Sequence, residues 1–195
     1  MQNEILVLIL AYLIGSIPFG LVISFCAGLG DIRNIGSGNI GTTNVLRTGK
    51  KTLALLTLIA DSGKIIIAIL LAKQLGFYQE YYVGAAGLLG HLFPIWLKFK
   101  GGKGVASFLG LSLYLFPVIS LILVITWIVT FTITRYSSLA AIMAAISGLI
   151  ALSITKPFDI NFIISICLII IILIKHKDNI KRLLKGKESK FRKSG

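Results

Sequence analysis

The sequence predicts an all-α polytopic membrane protein with seven transmembrane helices, its N-terminus outside and its C-terminus cytoplasmic. Three observations carry that prediction. Of 195 residues, 56% are hydrophobic and 14% charged, with a mean hydropathy of +0.92. A soluble domain carries roughly 25% charged residues, so this chain is too apolar to cover itself in water. Apolar runs of membrane-crossing length alternate with short polar islands, and the basic residues gather on alternate islands.

Each span needs about 20 apolar residues to cross roughly 30 Å of hydrocarbon. The first lies in the uncharged stretch between Glu4 and Asp31, where Pro18 predicts a kink. The start Met1-Gln2-Asn3-Glu4 lacks the positive residues of a cleaved signal peptide, so this span is expected to stay. The second runs from Leu53 to Ala72 around Asp61 and Lys64, and the third over 81–97 with His91 and Pro94. From Gly104 to Thr134 there is no charge, a length of about 46 Å as one straight helix. That run is either one long tilted span or two spans divided at Pro117. The sixth and seventh spans then fall at about 137–155 and 160–175.

Charge placement chooses between six and seven. With seven spans, Arg33, Arg47, Lys50, Lys51, Lys98, Lys100, Lys103 and Arg135 share a side with the basic tail that begins at Lys175. Of the 20 basic residues only Lys64, Lys73 and Lys156 lie elsewhere. Six spans would send the tail across the membrane, against the positive-inside rule. The short first half of the split run, about 104–116, then needs a thinned bilayer or sheltering neighbours. The expected organisation is a seven-span membrane domain over 1–180 and a basic cytoplasmic tail over 181–195. A net charge of +13 could indicate nucleic acid, anionic lipid or topology; its distribution indicates topology, with membrane lipid and no nucleic acid as partner.

The polar islands carry the chemistry. Gly36-Ser37-Gly38-Asn39-Ile40-Gly41-Thr42-Thr43-Asn44-Val45-Leu46-Arg47 combines glycines that let backbone N–H groups approach a ligand with neutral donors and a guanidinium. That is an inventory for an oxyanion. Its Gly-x-Gly-x-x-Gly spacing matches a dinucleotide fingerprint, but here it joins two membrane spans rather than a strand and a helix, so that reading fails. Lys100-Gly101-Gly102-Lys103-Gly104 lacks the first glycine and the hydroxyl of a P-loop. Gly101 and Gly102 are instead expected to expose backbone N–H groups to an anion before the next helix, with Lys103 adding a full charge.

Asp61 and Lys64 are spaced to pair on one helix face, bracing the packing unless they serve function as ionisable residues within a span. His91 reads as a histidine bonded between helices, and His176 and Asn179 share a face. Neither His91 nor His176 is followed by an aspartate in a His-x4-Asp pattern, no acidic cluster suits Mg²⁺ and no His, Cys, Asp or Glu set has metal-ligand spacing. Cys26 and Cys167 sit in apolar runs and read as small hydrophobes. These residues leave three classes open: a transferase acting on anionic substrates, an organic-phosphate transporter, and a membrane scaffold with a lipid-binding tail.

Three ordered stretches carry a resemblance over essentially the whole chain. They are Gly36–Arg47, the run from Gly90-His91 through Lys98-Phe99-Lys100-Gly101-Gly102-Lys103-Gly104 to Ala106, and His176-x-x-Asn179-Ile180-x-Arg182-Leu183. Together they resemble the signatures of the bacterial PlsY family, membrane-integral glycerol-3-phosphate acyltransferases with acyl phosphate as donor. The resemblance implies acyl transfer to the sn-1 hydroxyl of glycerol 3-phosphate, giving lysophosphatidic acid and phosphate at the start of phospholipid synthesis. It implies no cofactor, no metal and no direct use of acyl-CoA or acyl carrier protein. The implied setting is the bacterial plasma membrane, with the active site at the cytoplasmic face and an acyl-phosphate-forming enzyme upstream. Ser37, Arg47 and Lys103 are the expected catalytic residues. Asn39, Thr43, Asn44, Gly101, Gly102, Ser138, His176 and Asn179 are the expected substrate-binding residues.

Overall fold

A computed structural model describes residues 2–191, and all regular structure among them is helical. The last two basic residues of the expected tail, Arg192 and Lys193, lie outside the described residues. The chain forms two compact units, divided between Leu115 and Phe116.

The first unit begins with α1 (Gln2–Gly15) and α2 (Phe19–Cys26), bent by 43° at the break. Pro18 stands immediately before α2, where its missing N–H and fixed φ interrupt an otherwise continuous apolar helix. After a turn at Ile32–Asn34 come α3 (Thr42–Leu46), α4 (Lys51–Gln74), α5 (Glu80–Leu92), a second turn at Ile95–Leu97, and α6 (Val105–Leu115). Helix α1 packs on α5 along a seam of small residues that includes Gly15, Gly87 and Gly90, the close approach that lets helices associate without a hydrophobic driving force in lipid. Helix α4 packs on α6, where Ser62 Oγ donates to the Ala106 carbonyl (2.8 Å) and Ser107 Oγ to the Asp61 carbonyl (3.0 Å).

In the second unit, α7 (Pro117–Thr134) starts with proline at its first turn, where no N–H is needed. Phe116 before it leaves helical geometry, at φ −145° and ψ 69°, so the long uncharged run is two helices, as Pro117 predicts. Helix α8 (Ser137–Thr155) packs on α7, presenting buried Ala140, Ala141, Ala144, Ala145 and Gly148. Helix α9 (Ile160–Lys175) lies against α8 and turns by 52° at His176 into α10 (Lys177–Leu184). The expected domain boundary at residue 180 falls inside α10.

Helices α4, α7 and α8 are each long and apolar enough to cross a bilayer, as are the bent pairs α1–α2 and α9–α10 taken together. Helix α6 has only 11 residues and α5 has 13. Outward-facing Ile133, Ile154 and Val118 are more than 70% exposed. Large side chains of this kind, on helices of this length, suit a lipid surround.

Candidate active site

The first loop is built on a short local frame. Asp31 Oδ1 accepts the Arg33 N–H (2.9 Å), and its carboxylate also grips the Arg33 guanidinium (2.6 Å). Those hydrogen bonds and the charge beside it hold the Asp31 carboxyl below its ordinary value. Ile32 and Val45 are fully buried and pack with Ala54, docking the loop and α3 on the start of α4. Gly36 then takes φ +56°, and a Cβ there would strike both the Asn44 side chain and the Arg47 stem. Only glycine allows this backbone to lie so close to both.

Asn44 is the pin of the loop. It is buried, its Nδ2 donates to the Ile32 carbonyl (2.7 Å), and its Oδ1 accepts the Ser37 N–H (3.0 Å) and hydroxyl (3.3 Å). Expected to bind substrate, it has both ends of its amide engaged within the loop. Ser37 is exposed, Asn39, Thr43 and Arg47 are half-buried, and the Arg47 side chain runs beside Gly36. This one loop thus places a neutral hydroxyl one residue from the segment that flanks a guanidinium.

In the second loop Lys98 and Phe99 both adopt left-handed backbone, at φ 52° and 63°. The chain folds back so that Gly102 N–H donates to the His91 carbonyl (3.1 Å). The Gly102 N–H, expected to face an anion, is engaged within the turn, and Gly102 is buried. Gly101 is packed against the Leu92 carbonyl and Pro94. Lys103 is half-buried between this turn and the start of α6.

Ser138, His176 and Asn179 belong to the second unit. His176 Nδ1 lies 2.8 Å from the Ile172 carbonyl. A carbonyl can only accept, so Nδ1 carries a proton. Glu188 was not singled out from the sequence, yet its Oε1 accepts from Ser138 Oγ and Asn179 Nδ2, each at 2.7 Å, while Oε2 accepts from Arg182 (2.6 Å). Burial pushes this carboxyl up, but the hydrogen bonds from Arg182, Ser138 and Asn179 outweigh it and hold the group below its ordinary value. Ser138 and Asn179, both expected to bind substrate, donate to the same Glu188 oxygen. The one available signal was a lone acid within Lys185-Gly186-Lys187-Glu188-Ser189-Lys190. The segment continues back along its own unit, with Phe191 N–H donating to the Arg135 carbonyl (2.8 Å) and the Phe191 ring 5.7 Å from Phe131.

Apolar helices of spanning length, joined by polar loops that hold hydroxyls, amides and cations, define an integral membrane protein that handles anionic substrates. The family model for glycerol-3-phosphate acyltransferases matches residues 5–186. A glycerol-3-phosphate acyltransferase of Bartonella henselae is 50% identical over 191 residues, 95% of this chain and 90% of that protein. Crystal structures of PlsY (YgiH), an integral membrane glycerol 3-phosphate acyltransferase, superpose with TM-scores of 0.88 for the glycerol 3-phosphate form and 0.87 for the lysophosphatidic acid form. They are 38% and 37% identical, and each comparison covers 97% of this chain and 96% of the other. This chain belongs to the glycerol-3-phosphate acyltransferase family of PlsY type.

Proposed function

We propose that this protein transfers a fatty acyl group from acyl phosphate to the sn-1 hydroxyl of glycerol 3-phosphate. The observation that carries the reading is the first loop, in which Asn44 pins Ser37 while the Arg47 side chain runs beside Gly36. A hydroxyl and a bidentate cation held on one short loop suit a reacting group that bears phosphate next to a carbonyl. The relatives solved in glycerol 3-phosphate and lysophosphatidic acid forms supply the acceptor and the product of the same reaction.

In this scheme the acceptor's hydroxyl oxygen attacks the acyl carbonyl carbon. The bond from that carbon to the phosphate oxygen breaks, phosphate leaves with the electron pair, and the hydroxyl proton passes to the acceptor's own phosphate. Acyl phosphate is a mixed anhydride with a good leaving group, so positioning and charge stabilisation do most of the catalytic work. Arg47 and Lys103 bind phosphate and offset developing oxyanion charge. Ser37 positions the reacting carbonyl, with Asn39 and Thr43 beside it. His176 and Asn179 hold glycerol 3-phosphate.

Seven spans are proposed, with the N-terminus outside and these loops at the cytoplasmic face of a bacterial plasma membrane, because that arrangement gathers the basic islands on one side. The acyl phosphate then comes from an upstream enzyme that phosphorylates a free fatty acid or phosphorolyses an activated one. Donor choice tests the proposal. The purified protein is expected to acylate glycerol 3-phosphate at the sn-1 oxygen from palmitoyl phosphate and not from palmitoyl-CoA. The reverse preference contradicts it.

A further inference from the structure

Behind the Lys103 loop, the first unit buries three charged or titratable side chains together: Asp61, Lys64 and His91, each no more than 4% exposed. Lys64 Nζ lies 2.8 Å from Asp61 Oδ1, 2.8 Å from the Ile17 carbonyl at the α1–α2 break, and 2.9 Å from His91 Nδ1. An ammonium has three protons to donate and accepts nothing, so these three acceptors account for all of them. With Lys64 an ammonium, His91 Nδ1 faces it with its lone pair, beside Asp61 Oδ1 at 3.7 Å.

The opposite edge of that ring abuts Gly102, where an added Cβ would overlap Nε2 and Cε1. The His91 carbonyl also accepts the Gly102 N–H. His91 thus holds Gly102 by both backbone and ring, and the next residue is Lys103. On the other side of Lys103, the same turn of α4 holds α6, through the bonds from Ser107 to the Asp61 carbonyl and from Ser62 to the Ala106 carbonyl. Bracing alone gives no reason for charge here. An ionisable residue deep in a span is costly to insert, and apolar replacements of buried ion pairs are often neutral or stabilising.

We propose that Asp61, Lys64 and His91 are positioning residues for Lys103, a buried chain that fixes the loop before it and the helix after it. The inference rests on the reading that Lys103 meets substrate phosphate. The full-length protein, purified in detergent, is assayed with palmitoyl phosphate and glycerol 3-phosphate alongside its thermal midpoint. His91→Asn keeps an acceptor near Nδ1 for Lys64 but withdraws the ring edge from Gly102. It is expected to lower kcat/KM about tenfold or more while the midpoint stays near wild type.

Gly102→Ala, which forces a Cβ into the ring, is expected to lose about a hundredfold. Adding His91→Asn to it makes room, and the double variant is expected to recover to the level of His91→Asn alone. A structural role moves the thermal midpoint together with activity in all three variants, whereas positioning moves kcat/KM at a constant midpoint. If His91→Asn does not accumulate, Asp61→Asn with Lys64→Met removes both charges together and is expected to show the same loss at an unchanged midpoint. Wild-type kinetics in His91→Asn or in the charge-free pair, or losses that multiply in the double variant, overturn the inference. Lys103→Ala run in parallel separates the two claims. If it is inactive while His91→Asn is normal, the positioning inference alone falls; if it is fully active, the role of Lys103 falls as well.

Discussion

Asn44 Oδ1 accepts the Ser37 N–H at 3.0 Å, and the other end of the same amide donates to the Ile32 carbonyl at 2.7 Å. One buried side chain therefore ties the exposed serine to the core that docks its loop. Asn44→Ala leaves the buried Ile32 carbonyl without that donor, at a cost of about 1–3 kcal/mol, and releases Ser37. The expected result is a lower thermal midpoint together with at least a tenfold loss of turnover. Unchanged activity in a protein that is merely less stable would separate Ser37 placement from catalysis.

Arg47→Lys keeps the charge but loses the planar fork that grips two oxygens at once. Turnover is expected to fall about ten- to a hundredfold with little change in stability. Steady-state kinetics on both substrates measure it, and a variant as active as wild type would reduce Arg47 to a point charge.

Lys103→Ala is expected to lose most of the activity, on the order of a hundredfold or more, while the protein still accumulates in the membrane. Near-normal turnover removes the central role assigned to this residue.

The Glu188 carboxyl titrates below its ordinary value of 4.5 in the folded chain. A group shifted downward adds stability that is fully present above its unfolded value and disappears as pH falls through its folded one. The thermal midpoint should therefore lose this contribution only below about pH 4.5, and Glu188→Gln should flatten that acid limb. Parallel profiles for the two proteins would show that Glu188 carries no such linkage.

Hydrophobic runs and two prolines made most of the helices legible in the sequence. Pro18 and Pro117 do break their runs, because a missing N–H acts locally and needs no partner. The Asp61–Lys64 pair was legible for the same reason, since residues three apart on a helix must face each other. What the sequence hid were side chains whose partners lie far along the chain. Glu188 meets Ser138 fifty positions away, and nothing in the sequence signals that this hydroxyl donates to a carboxylate. Gly102 spends its N–H on the His91 carbonyl, and glycine content cannot tell a donor aimed at a ligand from one aimed at the fold. His91, read only as an interhelical histidine, sits where the buried charges meet the loop.

The central claim is acyl transfer between two phosphate-bearing substrates, and one measurement addresses it most directly. The purified protein is given palmitoyl phosphate and glycerol 3-phosphate, and released phosphate and lysophosphatidic acid are quantified in the same reaction. The account predicts equal amounts of both, dependent on both substrates. Glycerol 3-phosphate uptake into liposomes with neither product formed would contradict it.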